Sequence, residues 1–186
     1  MTATDDVLVV REMQNDEVDY VIQYFLNATP AFLHGMGVDP LKLPSEAEWQ
    51  AALHSDFERP LKERAFFYLL WINNGQPIGH SNINKIEYQS HAFMHLHIWA
   101  TEHRQSGFAD FMVRQSVKHY FERFELKKLF CEPYALNPAP NKTLPKAGFR
   151  LLETYTTIPG WINFEQPVNR WVLNRDTALS NMGHLK

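Results

Sequence analysis

The sequence predicts an α/β domain built on one mixed, mostly antiparallel twisted sheet of about six to seven strands, flanked by about four helices. The chain has 186 residues, of which 45% are apolar, so its length and composition suit one domain, 1–186, with its own core. Residues 65–99 have the pattern of three consecutive strands, and residues 107–126 have the period of a long helix. A further strand pattern follows that helix, which predicts a right-handed crossover between parallel strands.

The N-terminal third is predicted to contain one strand and two helices. Val7 to Met13 has a short strand pattern, and residues 16–27 place their apolar side chains on one helix face. Residues 29–44 are rich in glycine and proline but also carry large apolar side chains, which predicts an ordered loop. Ser45 and Glu48 form a capping box, which begins a short helix that ends near His54.

The rest of the chain supplies most of the predicted sheet. Three antiparallel strands are predicted in AFFYLLWI, PIGHSNINKIEY and HAFMHLHIWAT, separated by a turn at residues 73–75 and a polar break at 89–90. Strands are also predicted at 128–134, 149–157 and 169–174, with a short helix or turn at 137–147. Pro145 lacks the amide that a regular helix needs, so this helix is expected to be short or to begin late.

Charge and cysteine content exclude several classes of partner. The net charge is −3 and the isoelectric point about 6.3, so no basic surface for nucleic acid or for an anionic membrane is expected. No apolar run approaches the length of a membrane span, and the first residues are acidic where a signal peptide is basic. The single Cys131 lies in a strand pattern and has no internal disulfide partner. We therefore expect a cytoplasmic protein.

Two motifs in the second half of the chain suit a diphosphate ligand. Arg104-x-x-Gly107-x-Ala109 lies between a predicted strand and the long helix, where small residues let the backbone approach phosphate and the amides of a helix N-terminus point toward negative charge. Asn137 precedes Gly148-Phe149 by eleven residues, with a strand between the two blocks. The turn before the long helix is therefore a candidate pyrophosphate site.

These two blocks, over roughly residues 65–155, resemble the GNAT superfamily of N-acetyltransferases. The resemblance implies acetyl-CoA or another short acyl-CoA as co-substrate, no metal, and a cofactor cleft where two parallel strands separate. Many relatives have a tyrosine acid where this chain has Leu144. The implied cofactor contacts are the backbone of His97, Ile98 and Trp99, the turn residues Arg104, Gln105, Ser106, Gly107, Phe108, Ala109 and Asp110, and the side chains of Asn137 and Asn141.

Acyl transfer to an amine requires a base for the amine and an acid for the departing thiolate. His95 and His97 share one face of their strand, and His95 precedes Arg104 by nine residues, about where serotonin-type relatives have a catalytic histidine. We therefore expect His95 to be the base, with His97 next. Glu132 on the neighbouring strand is a further candidate base, and Tyr134 is the candidate acid.

The acceptor is an amine of undetermined type, either a small molecule or a protein N-terminus. The loop at 29–44 and the segment at 158–165 are both apolar and rich in turns, and the resemblance implies that they border the acceptor site. Trp161 and Phe164 could wall that pocket, or they could close the core or form a contact in a homodimer.

Two other functions remain open at this stage. Because Leu144 replaces the usual acid, the chain could be an acyl-CoA-binding or sensing protein with weak catalysis. His91, His95 and His97 with Glu132 could instead form a metal site, since alternate histidines of a strand can bind zinc or iron. The phosphate-type turn favours the acyl-CoA interpretation.

Overall fold

The computed structural model describes residues 7–99 and 108–182, with side chains to residue 180. Seven strands form one sheet: β1 Leu8–Glu12, β2 Phe66–Asn73, β3 Gln76–Glu87, β4 His91–Ile98, β5 Lys128–Cys131, β6 Arg150–Thr157 and β7 Gln166–Asn174. The helices of the described ranges are α1 Val18–Leu26, α2 Pro30–Gly35, α3 Glu46–Phe57, α4 Phe108–Arg123, α5 Pro138–Lys146 and α6 Arg175–Met182.

The strand order is β1-β2-β3-β4-β5-β7-β6. Five of its neighbouring pairs are antiparallel, and β4 and β5 pair in parallel, joined by the segment that contains α4. The predicted fold class and the parallel pair around the long helix are both confirmed.

Each face of the sheet packs against a different set of helices. Alternate residues of β2 divide between the two cores: Phe67, Leu69 and Trp71 join the core that contains α4, whereas Tyr68 and Leu70 join the core that contains α1 and α3. The ladder continues this division, because Asn82 lies opposite Tyr68 and His95 lies opposite Asn82. His95 therefore points to the face covered by α1 and α3.

Three helices were predicted only in part or not at all. The loop at 29–44 contains α2, whose N-terminus is capped by Thr29, and a 3-10 turn at Pro40–Lys42. The helix α6 follows β7 without having been predicted. The helix α5 is short, which is one of the two expected alternatives, but it does not begin late, because Pro138 occupies the first turn, where amides have no helical acceptor, and Pro145 lies in the last turn.

The capping box of α3 is confirmed: Glu48 Oε2 accepts from the Ser45 amide at 2.9 Å, and Ser45 Oγ accepts from the Glu48 amide at 3.4 Å. The helix extends from there to Phe57, three residues beyond the predicted end. Among the described helices, none combines the length and the apolar character that a membrane span requires.

Candidate functional site

The paired strands β4 and β5 separate toward their C-terminal ends. They are in register only at His91, Ala92 and Phe93, opposite Lys128 to Phe130. Past that point β4 continues to Ile98 along β3, whereas the chain after β5 turns away, and Tyr134 bridges to Val168 of β7. A cavity of about 490 Å³ opens at this gap, lined by both strands, α1 to α5 and residues 159–163.

The backbone of β4 presents alternate residues to the gap. The Trp99 amide donates to the Ile78 carbonyl at 2.9 Å, so the backbone of Trp99 and, two residues earlier, that of His97 belong to the ladder with β3. Alternation turns the backbone of Ile98 and Leu96 toward β5. Three backbone contacts to a pantetheine arm were expected. The backbone of Ile98 has the required direction, those of His97 and Trp99 face β3 instead, and the backbone of Leu96 faces the gap without having been predicted.

Much of the predicted pyrophosphate turn, Arg104, Gln105, Ser106 and Gly107, lies outside the described residues. The first turn of α4 follows directly, and Ala109 lines the cavity. Phe108 packs partly against the core, and the Asp110 carboxylate pairs with Arg114 Nε at 3.1 Å. Two lysines of α5, Lys142 and Lys146, also line the cavity and bring positive charge to this end of it.

The two predicted asparagines lie at the N-cap and inside α5, and their hydrogen bonds fix this helix to the rest of the domain. Asn137 is the N-cap, its Oδ1 accepting from the Ala139 amide at 3.3 Å, and it lines the cavity. Asn141 Nδ2 donates to the carbonyls of Tyr134 and Asn137, and its Oδ1 accepts from Asn169 Nδ2 and Trp171 Nε1, both at 2.9 Å. The Asn141 amide thus has protein partners on both ends, which gives it a structural role.

His95 lines the cavity, and its Nε2 is buried and has no hydrogen-bond partner. Burial, together with the positive charge of Lys85, lowers the pKa of His95 to about 4, although the Glu132 carboxylate acts in the opposite direction. The imidazole is therefore neutral near pH 7, and an Nε2 without a proton is a hydrogen-bond acceptor.

Sequence reasoning missed His80, which is fully buried beside the predicted histidines. Its Nδ1 accepts from Trp99 Nε1 at 2.8 Å, and burial, followed by His97 and His95, lowers its pKa well below the ordinary value. The available signal was the spacing of His80 and Asn82 in β3, which puts two polar side chains on one face of a strand. That both belong to the site follows only from the register with β4.

Glu132 lines the cavity with a side chain that is 5% exposed. Its Oε1 accepts from Arg170 Nε at 2.5 Å and from the Tyr155 hydroxyl at 2.6 Å, and Arg170 also donates to that hydroxyl. Burial and the hydrogen bond to Glu132 raise the pKa of Tyr155 to about 12. Glu132 is therefore an ion-paired carboxylate, and both of these hydrogen bonds engage Oε1.

Three further side chains near the gap bear on the chemistry, those of Tyr134, Cys131 and Leu144. Tyr134 lines the cavity with its ring edge against Phe164, centroids 5.8 Å apart. Cys131 also lines it, and burial raises the pKa of its thiol, with the Glu132 carboxylate adding to the shift. Leu144, which stands where relatives have a tyrosine acid, is fully buried in the core.

The end of the cavity toward α1 to α3 is aromatic. The ring of His97 lies 5.5 Å from that of Tyr24 and 5.2 Å from that of Phe25, and the edge of Trp161 meets Trp49 at 5.8 Å. Phe164, in contrast, stacks on His34, and it is not one of the described residues that line the cavity. The tyrosine, phenylalanine and tryptophan residues that line it are Tyr24, Phe25, Phe32, Trp49, Phe66, Tyr68, Tyr134 and Trp161.

Two loops, residues 35–42 and 158–166, are tied together over this aromatic end, and we call them the roof. Asn163 Nδ2 and Gln166 Nε2 both donate to the Gly37 carbonyl, at 2.8 and 2.7 Å. Lys42 Nζ donates to the Asn163 carbonyl at 2.7 Å, and Lys85 Nζ donates to the Pro159 carbonyl at 3.0 Å. The two segments that were expected to border the acceptor site thus contact each other at the aromatic end of the cavity.

The histidines of β4 do not assemble a metal site with Glu132. Within residues 7–99 and 108–182, no three histidine, cysteine, aspartate or glutamate side chains converge closely enough to hold an ion. His91 Nδ1 lies 3.4 Å from Glu87, outside the cavity, and Glu132 is engaged by Arg170. The residues present offer no ligand set of the expected kind.

Comparison with known proteins identifies relatives of this fold. A family model described as an acetyltransferase (GNAT) domain matches residues 8–150, and no curated protein sequence matches the chain. The structure is similar to a spermidine N-acetyltransferase from Vibrio cholerae in complex with CoA and spermine, at 18% identity over 92% of this chain and 98% of that chain, with a TM-score of 0.76.

Two further solved structures have comparable similarity. RimL, a ribosomal alpha-N-protein acetyltransferase in complex with coenzyme A, is 17% identical, with 91% of this chain and 95% of that chain covered and a TM-score of 0.71. The aminoglycoside acetyltransferase AAC(6')-Ib in complex with coenzyme A and kanamycin is 17% identical, with 95% and 99% covered and a TM-score of 0.72. At such identities the similarity shows a common fold.

Proposed function

The chain belongs to the GNAT acetyltransferase family, and we propose that it transfers an acetyl group from acetyl-CoA to an amine in a direct ternary complex. The observation that carries the proposal is the gap between β4 and β5, whose single cavity reaches the first turn of α4 at one end and an aromatic pocket at the other. Acetyl-CoA and the amine can therefore bind in one cavity with their reacting groups near His95.

The cofactor end offers groups that suit CoA. The backbone of Leu96 faces the gap, where a pantetheine arm can pair as an added strand would. Lys142 and Lys146 supply positive charge for phosphate groups, and Ala109 lets α4 approach them closely. Three solved structures with this fold contain coenzyme A, which supports the same ligand here.

His95 is the proposed proton acceptor. An amine entering an apolar cavity loses part of its own hydration, which lowers the pKa of its ammonium form and favours the neutral nucleophile. As the C–N bond forms, the attacking nitrogen becomes strongly acidic, so even a histidine with a pKa of about 4 can accept its proton at Nε2. Tyr134, which lines the same cavity, is the proposed proton donor to the thiolate as the C–S bond breaks.

Direct transfer is favoured over an acyl-enzyme. Cys131 is the only cysteine of the chain and lines the cavity, but burial raises the pKa of its thiol and so disfavours the thiolate that would attack the thioester. Glu132 is held by Arg170 and Tyr155. The neutral His95 is left as the best-directed acceptor for the amine proton.

The test combines a binding measurement with a turnover measurement on the purified chain. Acetyl-CoA at a hundred times its Kd should raise the free energy of unfolding by about 2.7 kcal/mol in a thermal-shift experiment. Thiol release from acetyl-CoA should then depend on an added amine. Binding without thiol release for any amine would favour an acyl-CoA sensor, and no thermal shift would exclude both.

A further inference from the structure

We propose that the acceptor is a small primary amine with one amino group and an aromatic or branched apolar body, whose nitrogen is held between Asn84 and His95. This inference rests on the acetyltransferase function proposed above and narrows its substrate class. It begins from two polar atoms in the cavity wall that the fold leaves unpaired.

Among the described residues, the buried side-chain atoms without a hydrogen-bond partner are Asn73 Oδ1, Asn84 Oδ1 and His95 Nε2. Asn84 and His95 line the cavity, whereas Asn73 lies at the end of β2, away from it. Asn84 is opposite Phe93 in the ladder of β3 and β4, so His95, two residues further along β4, is its diagonal neighbour on the same face. Two side chains with buried, unpaired acceptors are therefore diagonal neighbours on one face of the sheet.

The number of hydrogen-bond groups matches a neutral primary amine. Such an amine has two N–H donors and one lone pair, so one donor can reach Asn84 Oδ1 and the other His95 Nε2, leaving the lone pair to attack the thioester. A secondary amine has one donor and would leave one buried acceptor unpaired, which is costly. An ammonium ion has no lone pair. The pair of acceptors thus favours a primary over a secondary amine, and only the neutral form of that amine can attack the thioester.

The walls near these atoms suit an aromatic or apolar body. Tyr24 and Phe25 approach the ring of His97, the neighbour of His95 on the same face of β4. Tyr68 lies across the sheet from Asn82, and Trp49 lines the opposite side from α3. Removing an aromatic body from water into such walls is favourable in proportion to the area buried.

The charges disfavour an acceptor with several amino groups. Glu132 is the only carboxylate among the described residues that line the cavity, and Arg170 already neutralises it. A polyamine or an aminoglycoside would bring several ammonium groups into an apolar space without anions to pair them. Spermine and kanamycin, which are present in two structures of this fold, are acceptors of that kind and should be poor ones here.

The roof favours a small molecule over a polypeptide. Gly37 receives hydrogen bonds from Asn163 and Gln166, and Lys42 and Asp39 each add one across the same junction. These bonds join residues 35–42 to residues 158–166 over the aromatic end of the cavity. The bonded loops leave less room at this end for an extended polypeptide than for a compact amine.

The test is a comparison of kcat/KM for thiol release from acetyl-CoA with matched amines. The amines are 2-phenylethylamine, its N-methyl derivative, spermidine, kanamycin and a tripeptide with a free N-terminus. We expect 2-phenylethylamine to exceed each of the others by about tenfold or more, a difference of the size that one unpaired buried group produces. Preference for spermidine, kanamycin or the tripeptide would overturn the inference while leaving the acetyltransferase proposal intact.

Variants then test the two-acceptor site itself. Asn84→Leu removes a buried unpaired oxygen, so its folding stability should be retained or should rise, while KM for 2-phenylethylamine rises about tenfold and the Kd for acetyl-CoA stays unchanged. Asn73→Leu is the matched control, because Asn73 Oδ1 is also unpaired but lies outside the cavity. Equal kinetics for both variants would refute the role of Asn84. Acetyl-CoA binding without acetylation of any amine would instead refute the proposed function.

Discussion

His80 and His97 stack as cross-strand partners, with ring centroids 4.8 Å apart and planes inclined by 23°. Trp99 Nε1 donates a hydrogen bond to His80 Nδ1 at 2.8 Å, which fixes the orientation of the His80 ring. His97 is thereby held as a wall of the cavity next to Tyr24 and Phe25. His95 differs from both, because its buried Nε2 has no hydrogen-bond partner, and it is the proton acceptor proposed above.

Replacement of His95 tests its role as proton acceptor. His95→Ala should lower kcat by about 10²-fold or more, because loss of general-base catalysis typically costs that much, while acetyl-CoA binding is retained. His95→Gln retains a hydrogen-bond acceptor but cannot take a proton at neutral pH, so it should bind the amine better than His95→Ala without recovering kcat. Steady-state kinetics with thiol detection checks both. Full activity in His95→Gln would show that the residue only positions the amine.

The buried histidines should make stability fall as the pH falls. Burial holds the pKa of His80 well below the ordinary 6.5 and lowers that of His95 to about 4. Between the lowered pKa and 6.5, each histidine is protonated in the unfolded chain but not in the folded chain. Stability that is present above pH 6.5 is therefore lost toward pH 4, at up to about 1.4 kcal/mol per pH unit for each histidine. Near His95 the facing charges are Lys85 and Glu132.

Urea unfolding at about pH 7, 6 and 5 measures this slope. His95→Gln is the control, because it removes one titrating group and should flatten the curve by the share of one histidine, while the background from carboxylates is unchanged. Parallel curves for the wild type and His95→Gln would mean that His95 titrates alike in the folded and unfolded chains.

Much of the architecture was predictable because its signals are local. Neighbouring residues predicted the strands, the capping box at Ser45 and the crossover around α4, and the structure confirms them. The resemblance to the GNAT acetyltransferases is confirmed by the family match. The short helix α2 was not predicted, since its glycine- and proline-rich surroundings are typical of loops. It forms because Thr29 caps it and Leu33 packs into the core with α1.

The site was harder to predict because it depends on register. His95 and Glu132 stand out as histidine and carboxylate on neighbouring strands, but nothing local pairs Glu132 with Arg170, which follows 38 residues later. His80 and Asn84 become part of the site only when β3 is aligned with β4. A polar side chain in the middle of a strand can face solvent, core or ligand, and the sequence does not distinguish these cases.

The ion pair of Glu132 and Arg170 should matter for stability more than for chemistry. Glu132→Gln keeps an acceptor for Tyr155 and Arg170, so kcat should stay within about threefold of the wild type if His95 is the base. Arg170→Met leaves the buried carboxylate without its cation and should cost about 2 kcal/mol in urea unfolding, below the value for a fully buried pair because the Arg170 side chain is 30% exposed. A loss of kcat in Glu132→Gln as large as in His95→Ala would transfer the role of base to Glu132.

Gly37 provides the most local test of the roof. Its φ is +82°, which favours glycine, and an added Cβ would lie 1.9 Å from Gln166 Oε1, so Gly37→Ala must shift the side chain that donates to the Gly37 carbonyl. We expect a loss of about 1–3 kcal/mol in unfolding free energy and a raised KM for the amine, with the Kd for acetyl-CoA little changed. Gly35→Ala is the matched control, because a Cβ there meets nothing within 4 Å. If the two variants have equal KM values for the amine, the roof does not shape the acceptor pocket.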